Sequence, residues 1–170
     1  ARVVQFGHGF FGDRTELGDG FMRTFLARNK MIGVAVDWWG MSEPDRFVVA
    51  TRFANEPERA GIFIERVHQS MVNQIALSYA IRSSLAEIDP VNPQGRSLYD
   101  PSDPVYFYGI SQGHILGGTY LGIAPHIERA ALSVGGGGLS RMMFRALPFQ
   151  AFLFVIASSV PDPLNQQKWA

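Results

Sequence analysis

One serine in this chain has the surroundings expected of an activated nucleophile. The sequence VYFYGISQG places Ser111 between Gly109 and Gly113, in a G-x-S-x-G pattern. The apolar run before it predicts a strand over 105–108, and the residues after it predict a helix over 111–121. A tight turn between them lifts the hydroxyl above the sheet, and the glycines avoid collisions with neighbouring backbone. We therefore predict that Ser111 is the nucleophile of an acyl-transfer reaction.

The helix predicted after Ser111 also offers a group that stabilises negative charge. Gln112 is its first residue after the serine. The N–H groups at a helix N-terminus have no partner within the helix, and the helix dipole favours an anion there. The Gln112 N–H is therefore a candidate donor to the oxyanion that forms when a serine attacks a carbonyl.

A second glycine pattern predicts a different chemistry. Gly7 to Gly12 reads GHGFFG after the first predicted strand, and Asp37 ends the next strand. This arrangement is typical of dinucleotide-binding loops, in which the acid binds a ribose hydroxyl. Phe10 and Phe11 would crowd the pyrophosphate, and acidic residues within 13–19 would repel it. A dinucleotide-binding domain using Gly7–Gly12 is therefore the weaker alternative.

The elements that position these groups alternate between strands and helices. Apolar runs predict strands over 3–6, 31–36, 105–108 and 127–134, and helical spacing predicts helices over 21–29, 60–85, 111–121 and 139–160. We expect residues 38–57 to be irregular, with 47–49 as a candidate extended stretch. The order predicts an α/β fold, a mostly parallel sheet with helices on both faces, in one domain over 1–170.

The composition excludes several classes of function. The 170 residues contain 15 basic and 15 acidic side chains, so no basic face for nucleic acid is expected. The chain has no cysteine, which rules out thiol catalysis and cysteine-based zinc sites. No spacing typical of metal ligands stands out. We expect neither a metal nor a cofactor.

These segments together resemble the α/β-hydrolase superfamily, especially its esterase and lipase branches. The specific part is the nucleophile elbow at 108–118, and weaker similarity extends over most of 1–140. Within that region, 3–10 resembles the strand with the oxyanion loop, 34–42 resembles the next strand and its turn, and 127–136 resembles the strand after the elbow.

The resemblance implies a reaction and a set of roles. It implies hydrolysis of a carboxylic ester through an acyl-enzyme on Ser111, with a small and hydrophobic ester as the substrate. The loop His8-Gly9-Phe10 matches the His-Gly-X loop of the superfamily. The Phe10 N–H is therefore implied as the second oxyanion donor, beside that of Gln112.

The superfamily also uses a triad acid and a triad histidine, which follow later strands. No histidine follows His126, and for each of His8, His68, His114 and His126 a structural role is the simpler interpretation. Asp162, in a Pro-Asp-Pro turn, is read the same way. We therefore expect the chain to be incomplete, with a missing C-terminal segment or a second chain completing the sheet and the triad. A non-catalytic α/β-hydrolase-fold binding module is the alternative.

Three further segments are candidates for shaping a substrate pocket. Trp38 and Trp39 follow the second predicted strand, at the sheet edge where ligands bind in α/β folds. Residues 139–170 are rich in Phe near their start, which favours the start of lid or cap helices. Gly135 to Gly138 would let the chain approach the site closely.

Overall fold

The computed structural model describes residues 1–59, 61–88, 92–138, 141–142 and 144–159. The strands are β1 (Arg2–Gly7), β2 (Met31–Ala35), β3 (Val105–Ile110) and β4 (Ile127–Ser133). The described helices of nine or more residues are α1 (Gly20–Arg28), α2 (Arg46–Asn55), α3 (Gly61–Ile81), α4 (Gln112–Leu121) and α5 (Gln150–Ser159). Asp162 and all other residues of 160–170 lie outside the described residues.

The four strands form one parallel sheet in the order β2-β1-β3-β4. The predicted α/β fold with a parallel sheet is confirmed. Gly7 at the end of β1 is paired with Gly109 near the end of β3. The loops that leave these two strands therefore start at the same edge of the sheet. At this edge open α/β sheets bind their ligands.

Side chains on β1 and β3 alternate between two buried faces. Val4 and Phe6 pack against Met22 and Leu26 of α1. On the opposite face, Phe107 packs in a cluster with Met71 of α3 and Tyr120 of α4. The other buried members of this cluster are Phe11, Trp38, Met41 and Val49. Burial on both faces explains why β1 and β3 read as continuous apolar runs instead of alternating patterns.

A buried polar network fixes α3 and α4 on the sheet. Gln5 Nε2 donates to Gln74 Oε1 (2.5 Å), and the Tyr120 hydroxyl donates to Gln5 Oε1 (3.1 Å). All three side chains are fully buried. Burial raises the pKa of Tyr120 to about 12, although hydrogen bonds with Ser78 and Gln5 oppose the rise. Because unpaired polar atoms are costly in a core, this network specifies one register for β1, α3 and α4.

The largest difference from the sequence expectation is helix α2. Residues 38–57 were expected to be irregular and 47–49 to be extended, yet 46–55 are helical. The β-branched and aromatic residues of this segment have low helix propensity, and tertiary contacts override that preference. Val49 is buried in the core cluster, and α2 also packs against α5. Pro44 does not interrupt the helix, because it lies in the preceding turn.

A buried carboxylate fixes the turn that leads into α2. Asp45 accepts hydrogen bonds from Gly40 N (2.7 Å) and Ser42 N (3.2 Å), and it forms an ion pair with Arg66. Burial alone would raise the pKa of Asp45. The hydrogen bonds with Ser42 and Arg66 outweigh it and hold the pKa below its usual value. The charged form of Asp45 is therefore part of the folded structure.

We expect Asp45→Asn to lower the free energy of unfolding by about 2 kcal/mol at pH 7, since the buried carboxylate accepts charge-assisted hydrogen bonds from Gly40, Ser42 and the half-exposed Arg66. The folded-state pKa is depressed, so this stabilisation is complete above the unfolded value of 3.8 and is lost as the pH falls through the folded value. Urea unfolding at pH 7 and pH 3 measures both effects. Glu87→Gln on the exposed surface is the control, and an equal loss at both pH values would contradict the assignment.

Candidate active site

Ser111 lies at a strained turn between β3 and α4. Its backbone has φ 53° and ψ −111°, a region that L-residues rarely adopt. The Ser111 N–H donates to Ser133 O (2.9 Å), and Ser111 O accepts from His114 N (3.1 Å). The hydroxyl does not cap α4. The structure therefore holds Ser111 by its backbone, while the half-buried side chain makes no hydrogen bond within the described part of the chain.

The glycines around Ser111 are required by close backbone contacts. A Cβ atom on Gly109 would lie 2.2 Å from Gly113 O, and a Cβ atom on Gly113 would lie 2.0 Å from Gly7 O. Any side chain at these positions would need the backbone itself to move. The glycines therefore allow the start of α4 to pack directly on the ends of β1 and β3.

His8 holds the first half of the loop after β1. It is fully buried, and its Nε2 accepts a hydrogen bond from Trp38 N (2.8 Å). Because Nε2 is the acceptor, the proton of the neutral ring is on Nδ1, which donates to Gly9 O (2.9 Å). The Gly9 N–H donates to Glu16 Oε2 (3.0 Å). His8 is thus a structural link between the loops that follow β1 and β2.

The second half of this loop is held by the turn before α2. Phe11 has a positive φ of 48°, and its N–H donates to Met41 O (3.1 Å). Glu43 N donates to Gly12 O (2.8 Å), and Arg46 donates to Phe11 O (3.0 Å). These bonds fix the backbone on both sides of Phe10. They therefore hold Phe10 at the cavity that Ser111 also lines.

A mostly apolar cavity of about 180 Å³ opens at Ser111. Its lining consists of Phe10, Met41, Ser111, Gln112, Ile115, Leu116, Val134, Gly135, Met142, Ala146 and Phe149. The structure thus brings Phe10, Ser111 and Gln112 to one cavity. None of the lining side chains is charged. This chemistry suits an apolar group next to a reacting carbonyl.

The side chain of Gln112 is an unusual feature of this site. It is buried, yet neither its Oε1 nor its Nε2 has a hydrogen-bond partner among the described residues. Buried amides nearly always find partners, so this one marks a polar environment that the described residues do not complete. The Gln112 N–H is at the first position of α4, as expected for an oxyanion donor.

The four histidines all lie within the described residues, and none of their rings is hydrogen-bonded to the Ser111 hydroxyl. His8 is part of the loop network, and His114 Nδ1 accepts from Gly135 N (3.0 Å). The His126 ring packs edge-on against Tyr79, with centroids 4.6 Å apart, and His68 is exposed on α3. Within the described part of the chain, the predicted nucleophile is therefore not paired with a histidine ring.

The geometry disfavours dinucleotide binding at Gly7–Gly12. Only a five-residue 3-10 helix, Arg14–Gly18, follows the glycine loop, and the first α-helix, α1, begins at Gly20. Asp37 accepts hydrogen bonds from the backbone (2.7 Å) and side chain (2.5 Å) of Arg14. The Gly9 N–H is bonded to the carboxylate of Glu16. The groups that would bind phosphate and ribose therefore already have internal partners.

Trp38 and Trp39 are not among the described residues that line the cavity beside Ser111, and their suggested part in a substrate pocket stays a prediction. Trp38 is fully buried in the core, where its ring packs edge-on against Tyr120. Trp39 is exposed, and the Arg66 guanidinium lies 5.3 Å from the centre of its ring. The turn after β2 is held by the hydrogen bonds that Trp38 N donates to His8 and Gly40 N donates to Asp45.

Most of the cavity wall was not identified from the sequence. Helical spacing carries one signal, since Ile115 and Leu116 follow Gln112 by three and four residues and lie on the same face of α4. Met41 and Val134 enter from loops after β2 and β4, and Phe149 enters from the turn before α5. No local pattern connects these positions. Met142, Ala146 and Phe149 line the cavity at Ser111, within the segment expected to begin a lid.

The described ranges contain neither a metal-ligating cluster nor a membrane-spanning helix. No group of three or more residues with metal-ligating side chains lies close enough together to hold a metal ion among them. No helix within these ranges has the length and apolar character needed to cross a bilayer.

We expect Gly113→Ala to lower the free energy of unfolding by about 3 kcal/mol, because the added methyl group would collide with the backbone of Gly7. Gly118→Ala on the same helix is the matched control, since a Cβ there meets no atom within 4 Å. That variant should gain up to about 1 kcal/mol from helix propensity. Urea unfolding compares the two, and equal stability of both variants would contradict the close contact.

Comparison of the chain with protein-family models, with curated proteins and with solved structures finds no match in any of the three. Any functional conclusion therefore rests on the geometry and chemistry of the site itself.

Proposed function

We propose that this protein is a serine hydrolase that cleaves carboxylic esters through an acyl-enzyme on Ser111. The observation that supports this most directly is the strained backbone of Ser111, at a strand-to-helix turn that opens into an apolar cavity. Non-glycine residues with positive φ concentrate at functional sites, where the surrounding structure enforces them. An idle serine in an ordinary turn would not need that conformation.

The proposed reaction has two steps. Ser111 Oγ attacks the ester carbonyl carbon while its proton passes to a base, and the resulting oxyanion is stabilised by the N–H groups of Gln112 and Phe10. The intermediate collapses, the alcohol leaves with a proton, and the acyl group stays on Ser111. Water then attacks the acyl-enzyme, which releases the carboxylic acid and restores the serine.

The base and its acidic partner must come from outside the described residues. We propose that a further segment or a second chain supplies them and extends the sheet at β4. Ala130 and Ala131, in the middle of β4, are exposed, although strands of parallel sheets are normally buried on both faces. On the side of α1, Phe21 and Phe25 stack near Tyr108 and are themselves exposed. These surfaces suit an additional strand and helix.

A binding module without catalysis is the second candidate function. Among the described residues no histidine ring is hydrogen-bonded to the Ser111 hydroxyl, which favours it. The same cavity would then bind an apolar ligand without cleaving it. An activated serine reacts with a phosphonylating reagent and an idle serine does not, so chemical labelling separates the two candidates.

We expect an alkyl fluorophosphonate to form a single adduct on Ser111 of the intact protein, detected by mass spectrometry of the whole protein and its peptides. Ser111→Ala should abolish the adduct, whereas Ser102→Ala, on the exposed surface, should leave it unchanged. Free imidazole should accelerate labelling if the base is missing from the sample, because it substitutes for the histidine. Failure to label with and without imidazole, in a folded protein, would contradict the hydrolase and leave the binding module.

A further inference from the structure

The residue that follows β4 is held in a strained conformation beside the nucleophile. Val134 has a φ of 47°, in the left-handed region. A β-branched side chain is rarely found there, because it clashes with its own backbone. Val134 lines the cavity that opens at Ser111, although most of its surface is exposed. It therefore lies at the mouth of the cavity, with one side facing the space where a substrate would bind.

Two hydrogen bonds on either side of Val134 enforce this conformation. Ser133 O accepts from the Ser111 N–H (2.9 Å), and the Gly135 N–H donates to His114 Nδ1 (3.0 Å). Both partners belong to the nucleophile elbow and the first turn of α4. The strained residue is thus tied to the same element that carries Ser111, so its position and that of the nucleophile are set together.

Gly135 shows how closely this loop lies against His114. A Cβ atom on Gly135 would be 2.2 Å from Cγ of the histidine ring. Only glycine allows this approach, and only a ring nitrogen with a free lone pair accepts the Gly135 N–H. His114 therefore acts here as a hydrogen-bond acceptor in its neutral form.

The size of the cavity limits what it can hold. An apolar cavity of about 150 Å³ accommodates benzene, a six-carbon ring. The cavity at Ser111, at about 180 Å³, is slightly larger and is lined mostly by apolar side chains. An acyl chain of about six carbons would fill it, and a longer chain would have to pass Val134 at the mouth.

We propose that Val134 is the specificity-determining wall that limits the acyl group to about six carbons, and that His114 is the positioning residue that holds this wall in place. The proposal rests on the hydrolase function proposed above and names its substrate class, esters of short to medium-length apolar acids. His114 does not touch the reacting atoms. It acts through Gly135 on the conformation of Val134.

The chain-length profile of Ser111 labelling tests this proposal. Ethyl, hexyl and decyl fluorophosphonates are compared by the rate of adduct formation, with imidazole added at a fixed concentration. The wild-type protein should react about tenfold faster with the hexyl than with the decyl reagent. Val134 would keep the longer chain from entering the cavity fully, at a cost of about two methylene groups of apolar burial. Val134→Ala should remove this preference by accelerating the decyl reagent. Val72→Ala, at an exposed position on α3, should keep it.

The variants of His114 test positioning separately from folding. His114→Ala should shift the profile as Val134→Ala does, and His114→Asn should restore it, because the amide oxygen can accept from the Gly135 N–H in place of Nδ1. His68→Ala, at an exposed position, is the matched control. In thermal unfolding, Val134→Gly should be more stable than Val134→Ala, since glycine adopts the positive φ without a clash.

Equilibrium binding separates this proposal from the hydrolase proposal. Straight-chain alcohols from butanol to decanol are titrated into the wild-type protein and Val134→Ala, with NMR of the methionine methyl groups as the readout. A length limit that moves in Val134→Ala supports the wall even if no adduct forms, and then only the hydrolase fails. Normal labelling with an unchanged profile in Val134→Ala overturns the wall alone, and neither labelling nor binding overturns both.

Discussion

The site depends on how closely the start of α4 lies against the ends of β1 and β3. Glycine at positions 109 and 113 lets the backbones of β1, β3 and α4 approach to distances that no side chain would permit. This contact places the strained Ser111 directly beside the loop that carries Phe10. If α4 lay even slightly further from the sheet, Ser111 would be separated from the loop that carries Phe10. The cavity that both residues line would then lose its shape.

Buried polar groups hold the loops around this contact. His8 links the loops after β1 and β2, Glu16 binds the N–H of Gly9, and Asp45 fixes the turn into α2 with Arg66. Each of these groups is costly to bury without partners, so each specifies one arrangement of the backbone. These bonds fix the loops at the carboxyl edge of the sheet. A site that stabilises an oxyanion needs such fixed loops, because its donors must be in place before the reaction.

The cavity combines apolar walls with strain at its entrance. Ser111 and Val134 both have positive φ, and a hydrogen bond between Ser111 N and Ser133 O connects their backbones. Two strained residues next to each other would not persist in an ordinary turn, because each raises the free energy of the folded state. Under the proposed function, this strain presents the nucleophile and limits the acyl group. The buried side chain of Gln112, which lines the cavity, has no hydrogen-bond partner among the described residues.

The sequence by itself determined the parallel α/β architecture and the turn at Ser111, because both depend on local patterns. Continuous apolar runs mark buried strands, and paired glycines around a serine mark a tight strand-to-helix turn. The roles of Ser111 and of its oxyanion donors stay predictions. Only the tertiary structure decided that 46–55 form a helix, that Trp38 belongs to the core, and that Val134 lines the cavity at Ser111. Each of these depends on contacts between residues far apart in the chain, which no local propensity or spacing records.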